Sequence, residues 1–310
     1  MKAVWLTSYG PPDVLVARDT PDPVPGPGEV LVDVAAVSVT FIETLVRAGR
    51  APWQAGGLQP PYVPGNGVGG TVAVAGPDWL GRRVVTTTGG SGGYAERVVV
   101  PVSSLIAVPD EVDLRDATAL LADGRTATGL VELAAPGPHE WVLVEAAAGG
   151  VGSLLVQLSR RAGARVVAAA GGERKLAVAR DLGADAVVDY SSPDWTSRLP
   201  STMDVVFDGV GGEIGAAALA ALRPGGRFVS FGVASGGPTT ATREDVTTLG
   251  FQALGSLAAR ASELTSRALV EAEAGRLRPI IGQVFRLDDA SEAHAAIESR
   301  ATIGKTLLIP

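Results

Sequence analysis

The chain has 310 residues, no cysteine and only two histidines, His139 and His294. Without cysteine it cannot form a disulfide, a thiolate nucleophile or a thiolate metal site. The two histidines lie far apart in the sequence, so they cannot build a histidine-rich metal site. We therefore expect a protein that works without a bound metal.

Basic runs, a leader and long apolar runs are also lacking. The net charge is −7 and the isoelectric point is about 5.0, which disfavours nucleic acid as a partner. The start of the chain has no pattern typical of a signal peptide. No stretch is long and apolar enough to predict a membrane span. We expect a cytoplasmic protein with small-molecule partners.

Glycine and proline are plentiful, with 40 and 21 residues, and they divide residues 1 to about 115 into short segments. Strand-like runs are expected at 1–6, 29–37, 71–75, 83–87 and 96–100, with a short helix at 41–48. A glycine-dense turn at 60–70 precedes the third of these strands. Many short strands separated by such turns predict a barrel-like β domain.

From residue 116 the pattern changes to alternating strands and helices, which is typical of a doubly wound parallel sheet. Helices are expected at 116–122 and 125–134. Expected strands are 141–146, 165–169, 186–189, 203–207 and 226–231, with further strands at 251–254 and 305–309. The residue pattern of the last part of the chain resembles that of the first part. The sequence therefore predicts an α/β protein with a discontinuous β domain, 1–120 plus 251–310, around a dinucleotide-binding domain, 121–250.

The most informative stretch is the turn after the first strand of this alternation. Its residues are Ala147, Ala148, Gly149, Gly150, Val151 and Gly152, followed by an amphipathic helix expected at 153–162. The pattern is that of G-x-G-x-x-G with its first glycine replaced by Ala147. Glycine lets backbone N–H groups approach a diphosphate, and the helix N-terminus adds a favourable dipole. The turn predicts dinucleotide binding; the alternative is an ordinary βα turn.

The next strand indicates which dinucleotide is bound. An NAD site usually ends this strand with an acid that binds the ribose 2′-hydroxyl. Here the strand runs into alanines and then Gly171 and Gly172, with no acid, and Arg174 and Lys175 follow. We interpret Glu173 as a first-turn acid that complements the helix dipole. The missing acid and the nearby cations favour NADPH.

Two further loops follow apolar runs and should lie at the same edge of the sheet, because ligands bind at the carboxyl ends of parallel strands. One contains Gly209 and Val210, and the other contains Ser230, Phe231 and Gly232. Each could be a structural turn, but together with the first turn they outline one groove.

Seven segments along the chain carry a family resemblance. They are VPGNGVGG (63–70), GGYAERVVVP (92–101), GRTAT (124–128), EAAAGGVGS (145–153), DVVFDGVGG (204–212), RPGGRFVSFG (223–232) and SRATIGKTLLIP (299–310). In this order they resemble the zinc-independent quinone oxidoreductase, or zeta-crystallin-like, branch of the medium-chain dehydrogenase/reductase family. The resemblance implies a Rossmann domain with a GroES-like β-barrel domain, NADPH as cofactor and a homodimer paired through an edge strand, here 251–254.

The resemblance also implies residue roles. In the cofactor site, 147–152 would bind the pyrophosphate, Thr126 would lie near the nicotinamide, and 230–232 would line its carboxamide side. The 2′-phosphate would be bound by Gly171, Lys175 and Tyr190. In the substrate cleft the candidates are Thr40, Phe41, Ile42 and Tyr62.

Zinc-dependent relatives place cysteine and histidine ligands where this chain has Thr40 and Asn66. Without zinc an alkoxide lacks a Lewis acid, so alcohol oxidation is disfavoured. We expect metal-free hydride transfer from NADPH to a quinone, whose ring delocalises the charge. Reduction of α,β-unsaturated ketones or enoyl compounds is the alternative enzyme activity. A redox sensor or structural protein that binds NADPH without turnover is the alternative of another class.

Overall fold

The computed structural model describes residues 1–51 and 57–310. The chain divides into two compact units, Met1–Ala122 with Leu269–Pro310, and Asp123–Ala268. The assignment of a substrate role to one unit and a cofactor role to the other stays a prediction.

Up to residue 134 most of the regular elements are strands. The elements are β1 (Lys2–Leu6), β2 (Leu15–Asp19), β3 (Glu29–Val39), α1 (Phe41–Arg47), β4 (Gly67–Val74), β5 (Arg83–Thr87), β6 (Arg97–Pro101), β7 (Ile106–Ala107) and α2 (Leu114–Ala134). The alternating strand and helix segment follows, with β8 (Trp141–Val144), α3 (Gly150–Arg161), β9 (Arg165–Ala170), α4 (Glu173–Asp181), β10 (Ala186–Asp189), β11 (Met203–Asp208), α5 (Gly212–Ala220), β12 (Leu222–Ser230), β13 (Thr247–Leu249) and α6 (Phe251–Ala258). The chain ends with α7 (Ala261–Glu273), β14 (Ile281–Arg286), α8 (Ala290–Glu298) and β15 (Lys305–Ile309).

The first unit contains the predicted β domain. Its main sheet runs in the order β14-β15-β3-β4-β5-β7, with β6 also paired to β3, and β1 and β2 form a separate antiparallel pair. Valines of β3, β4 and β6 supply much of its buried core. The expected strand at 71–75 begins earlier, at residue 67, because the glycines before it allow close packing. A Cβ at Gly70 would lie 2.2 Å from the Asp33 carbonyl oxygen of β3.

The second unit contains a parallel sheet of six strands in the order β10-β9-β8-β11-β12-β13. β8 lies near its centre, between β9 and β11, and both pairings are parallel. The buried core on the sheet includes Leu143, Val167, Val206 and Phe228 from four adjacent strands. The predicted α/β class, with a doubly wound sheet and a second β domain, is confirmed.

The strand predicted at 251–254 is wrong. Residues 251–254 begin the helix α6 instead of forming a strand, so they cannot be the edge strand of a dimer. Four residues of apparent alternation are too few to distinguish the two structures, whereas the alanines and leucines of the whole segment favour a helix. The described edge strand on that side is β13.

The helical segments expected at 116–122 and 125–134 form one helix, α2. Gly129 within it has a packing reason, because a Cβ there would lie 2.6 Å from Leu257 Cδ1. Among the residues that the structure describes, no helix has the length and apolar character needed to cross a bilayer.

Candidate functional site: the turn after β8 and the neighbouring strand ends

The turn between β8 and α3 is tightly constrained. Three backbone hydrogen bonds hold it, the first residue of each pair donating: Glu145 to Phe207 (3.0 Å), Ala147 to Ala169 (3.1 Å) and Gly149 to Ala146 (2.8 Å). Ala146 has a left-handed φ of 47°, which non-glycine residues rarely adopt. A Cβ at Gly152 would lie 2.2 Å from the Ala146 carbonyl oxygen. Only glycine at 152 therefore allows α3 to pack this closely on the turn.

α3 begins at Gly150, three residues before the predicted start, so Gly150, Val151 and Gly152 form its first turn. The expected start was wrong because glycine is a poor helix former and only tertiary packing holds it there. The N–H groups of a first helical turn have no intrahelical acceptor, and the helix dipole adds positive potential. With no side chain at 150 or 152, these donors are open to a diphosphate. The residues present therefore fit a dinucleotide.

The middle of α2 lies beside the start of α3. A Cβ at Gly150 would lie 2.0 Å from Asp123 Oδ2, so the glycine again permits a close approach. Thr126 is three residues further along α2 and shares that helix face. Its side chain is half-buried. Thr126 is thus in the neighbourhood that the resemblance implies.

The structure brings together two of the residues expected at the 2′-phosphate. A Cβ at Gly171 would lie 3.3 Å from Tyr190 Cε2 and 3.1 Å from Ser191 Oγ. Sequence reasoning missed Asp189, which ends β10 and accepts a hydrogen bond from the Ser191 N–H (2.9 Å). That bond, joined by one from the Gly172 N–H, lowers the pKa of Asp189. This acid therefore holds the loop through its own backbone contacts.

Lys175 lies in the first turn of α4, half-buried, and its N–H donates to the Gly172 carbonyl (3.1 Å). Glu173, the nearby acid, forms an ion pair with Arg180 along the exposed surface of α4. The hydrogen bond from Arg180 lowers the pKa of Glu173. The negative charge of Glu173 is therefore compensated within the helix.

The loops after β11 and β12 are joined through one buried carboxylate, Asp208. It accepts four hydrogen bonds, from the N–H groups of Val210 (3.0 Å) and Gly211 (2.7 Å) and the hydroxyls of Ser230 (3.0 Å) and Thr239 (2.8 Å). The two loops also touch: a Cβ at Gly209 would lie 2.8 Å from Phe231 Cζ, and a Cβ at Gly232 would lie 2.2 Å from the Gly209 carbonyl oxygen. The predicted grouping of these loops thus has a physical basis in a residue that sequence reasoning did not single out.

In the first unit, Glu43 ties together two segments of the predicted substrate site. One carboxylate oxygen accepts the Thr40 N–H (2.6 Å) and the Thr40 hydroxyl (3.0 Å), and the other accepts the Asn66 N–H (2.9 Å). Burial raises the pKa of Glu43, while these donors and the charge of Lys305 act in the opposite direction. Thr40 and Asn66, where zinc-dependent relatives carry ligands, are here linked by an acid.

The other substrate candidates lie around this acid in different ways. Thr40 is the N-cap of α1, and Phe41 carries the Arg300 guanidinium 4.5 Å above its ring. Ile42 is 37% exposed, a high value for an apolar side chain. Tyr62 is half-buried and pairs with the Leu6 backbone; burial raises the pKa of its hydroxyl. The structure describes these residues without assigning a role to any of them.

Both histidines lie outside these sites. His139 is in an exposed loop. His294 is buried, and its Nε2 lies 2.8 Å from the hydroxyl of Tyr94, which is also fully buried. Burial lowers the pKa of His294 to about 3. In the described ranges no group of three or more histidine, aspartate or glutamate side chains is arranged to hold a metal ion.

Two family models match the chain. The alcohol dehydrogenase GroES-like domain matches residues 26–110, and a domain described as a zinc-binding dehydrogenase matches residues 182–308. The name of the second model mentions zinc, but it describes the domain family and not the metal ligands of this chain.

Similar proteins cover the chain from end to end. Quinone oxidoreductase from Pseudomonas aeruginosa is 33% identical, over 100% of this chain and 99% of the relative. A 2-haloacrylate reductase from Burkholderia is 32% identical, over 99% and 98%. The solved quinone oxidoreductase from Thermus thermophilus, described with its NADPH complex, is 33% identical with a TM-score of 0.83, and each chain is covered completely. The chain belongs to the quinone oxidoreductase branch of the medium-chain dehydrogenase/reductase family.

Proposed function

We propose that the chain is an NADPH-dependent oxidoreductase that transfers hydride to a quinone without a metal ion. The observation that carries the proposal is the first turn of α3, where Gly150 and Gly152 leave backbone donors open beside a strained turn. The NADPH complex of the Thermus thermophilus relative supports the choice of cofactor.

The pyrophosphate site is built from residues 147–152. Ala147 and Ala148 are buried and support the turn, and the Gly149 N–H is used within it by the Ala146 carbonyl. Gly150 and Val151 are half-buried and face the ligand with their N–H groups. Hydrogen bonds from a helix N-terminus to an anion are charge-assisted, and each contributes about 1.5–3 kcal/mol. This element binds the part that NADPH and NADH share.

Discrimination for NADPH comes from the ends of β9 and β10. Gly171 leaves room for a 2′-phosphate, and Lys175 supplies a positive charge at that end of the sheet. Tyr190, which packs by Gly171, closes the pocket. Because Glu173 is paired with Arg180 and Asp189 with backbone donors, neither acid is directed at the phosphate.

The nicotinamide side is formed by Thr126, Gly209, Val210 and the segment 230–232. Asp208 holds the last two loops in one arrangement through its four hydrogen bonds. Bound NADPH supplies the hydride. The protein orients the nicotinamide, excludes water and surrounds the ring with fixed dipoles.

The substrate side is formed by Thr40, Phe41, Ile42 and Tyr62. Without cysteine or a described metal cluster, the substrate must carry its own charge-delocalising group, as a quinone does. The proton that completes the reduction comes from water. Chemistry of this kind needs positioning more than a strong general acid.

Reduction of activated alkenes is the second candidate. The 32% identical 2-haloacrylate reductase favours it, because that relative's name describes reduction of a conjugated acceptor. An enolate delocalises charge in the same way as a hydroquinone anion. Both reactions use the same cofactor site and differ in the pocket around Thr40.

The assembly and location extend the proposal. We expect a cytoplasmic homodimer, and the described edge strand β13 is the position at which a second copy would extend the sheet. Size-exclusion chromatography with light scattering measures the oligomeric state directly.

The experiment is an acceptor screen with NADPH. Turnover with 1,4-benzoquinone or 9,10-phenanthrenequinone is the expected result. Turnover with enones alone would select the second candidate. Tight NADPH binding with no turnover on any acceptor would contradict both and indicate a sensor or structural role.

A further inference from the structure

A row of polar side chains runs along the carboxyl edge of the second sheet. Val144 pairs with Phe207, and Asp208 pairs with Ser230, so Glu145 stands beside Asp208 in the parallel register. The Glu145 N–H donates to the Phe207 carbonyl (3.0 Å), which extends the ladder by one residue. In parallel strands, residues at the same register point to the same face. Glu145, Asp208 and Ser230 therefore lie side by side across three strands.

Glu145 is the unusual member of this row. It is 0% exposed, and neither carboxyl oxygen has a well-formed hydrogen bond among the described residues. The polar groups that act on it are the Asp208 carboxyl and the Val210 N–H. An isolated ionised carboxylate in such a place is costly, typically several kcal/mol.

The surroundings of Glu145 offer no compensating cation in the described ranges. On the β9 side the neighbours are buried alanines, 168–170, and α5 presents Gly215 to the Asp208 carboxylate. α2 brings another acid, Asp123, to Gly150, and the charge of Asp123 acts on Arg125 of the same helix. Burial, and then the charge of Asp208, raise the pKa of Glu145 well above its usual value.

Two adjacent buried carboxyl groups repel each other when both are charged, which favours a proton on one of them. Both oxygens of Asp208 act as acceptors, because four N–H or O–H groups donate to them. Neither oxygen of Glu145 accepts a well-formed hydrogen bond from the described residues. We therefore place the proton on Glu145, whose O–H can then donate to the Asp208 carboxylate.

We infer that Glu145 is a positioning residue that works as a neutral acid, and that NADPH binds the form in which it is protonated. Glu145 precedes the pyrophosphate turn, and Asp208 holds the loops at 209–211 and 230, so a proton shared between them joins the two halves of the cofactor site. Loss of that proton to solvent leaves two like charges in contact, directly beneath a turn that must accept a diphosphate. The inference rests on the proposed NADPH site.

The test is the dissociation constant of NADPH from about pH 7 to about pH 9.5, above the titration of the 2′-phosphate near pH 6. We expect Glu145→Gln, which is neutral at every pH, to match the wild-type affinity at pH 7 and to lose no more affinity than the wild type as the pH rises. Glu213→Gln, an exposed acid in α5, is the matched charge control and should follow the wild type. Glu145→Leu, which has no donor, should bind more weakly at every pH.

A second readout does not depend on NADPH. Difference infrared spectra of wild type and Glu145→Gln should contain a protonated carboxyl band at neutral pH that the variant lacks. A clear loss of NADPH affinity in Glu145→Gln at pH 7, or no such band, would overturn the inference. If neither the wild type nor any variant binds NADPH at any pH, the proposed function fails. The infrared band still decides whether Glu145 is protonated.

Discussion

Replacing Gly152 with alanine tests whether the first turn of α3 must touch the turn before it. The added Cβ would lie 2.2 Å from the Ala146 carbonyl oxygen, although such contacts essentially never fall below 3.0 Å, so the backbone must move by about 0.8 Å. Overpacking of this kind costs about 1–3 kcal/mol, and the higher helix propensity of alanine returns about 1 kcal/mol. A displacement of about 1 Å in a binding element can cost about 100-fold.

We therefore expect Gly152→Ala to weaken NADPH and NADH alike by at least about tenfold, with a loss of unfolding free energy of at most about 2 kcal/mol. Fluorescence titration measures the first quantity and urea unfolding the second. Gly255→Ala in α6 is the control, because a Cβ there meets nothing within 4 Å. It should gain up to about 1 kcal/mol and keep its NADPH affinity. Wild-type affinity in Gly152→Ala would refute the assignment of this turn.

Three further predictions concern other parts of the chain. Lys175→Ala should raise the KM for NADPH about tenfold, because a charge-assisted contact is lost, and leave the KM for NADH unchanged. Steady-state kinetics with both cofactors measures this, and equal effects on both would exclude Lys175 as a 2′-phosphate ligand. Because the pKa of His294 is lowered to about 3 from 6.5, the neutral form stabilises the fold above about pH 6.5 and this stability is lost as the pH falls toward 3. Between about pH 6.5 and about pH 4.5 the free energy of unfolding of His294→Gln should therefore fall less than that of the wild type, by up to about 1.4 kcal/mol per pH unit. Thermal unfolding measures it, and identical slopes of unfolding free energy against pH would contradict this prediction. A chelator should leave quinone reduction unchanged, and inhibition reversed by zinc would contradict the metal-free chemistry.

Elements with strong apolar runs were predictable from the sequence. The strands β5, β10 and β15 begin and end where the runs of branched residues predict. The runs are bounded by glycine, proline or charged residues, which mark their ends locally. These elements needed no knowledge of their neighbours.

Elements that depend on tertiary packing were not predictable. The starts of α3 and β4 are glycines, whose low propensity hides the close contacts that require them. The short edge strand β13 and the helix α6 were missed because their segments are too brief to have a clear period. Local patterns contain no information about which surfaces will meet.

The same limit applies to the candidate sites. The glycine turn and the missing acid after β9 were visible, because both are properties of consecutive residues. The roles of Glu43, Glu145 and Asp208 were not, because each depends on contacts between distant segments. Glu43, for example, meets Asn66 across 23 positions of the chain.

The central claim is that the ends of β9 and β10 form a 2′-phosphate pocket, and the ratio of kcat/KM for NADPH to that for NADH tests it most directly. Tyr190 lies beside Gly171, Lys175 lies in the first turn of α4, and no acid ends β9. We therefore expect a preference for NADPH of at least about 100-fold, or about 2.7 kcal/mol. Lys175→Ala should reduce that preference about tenfold. Equal efficiency with the two cofactors, or a preference for NADH, would contradict the account.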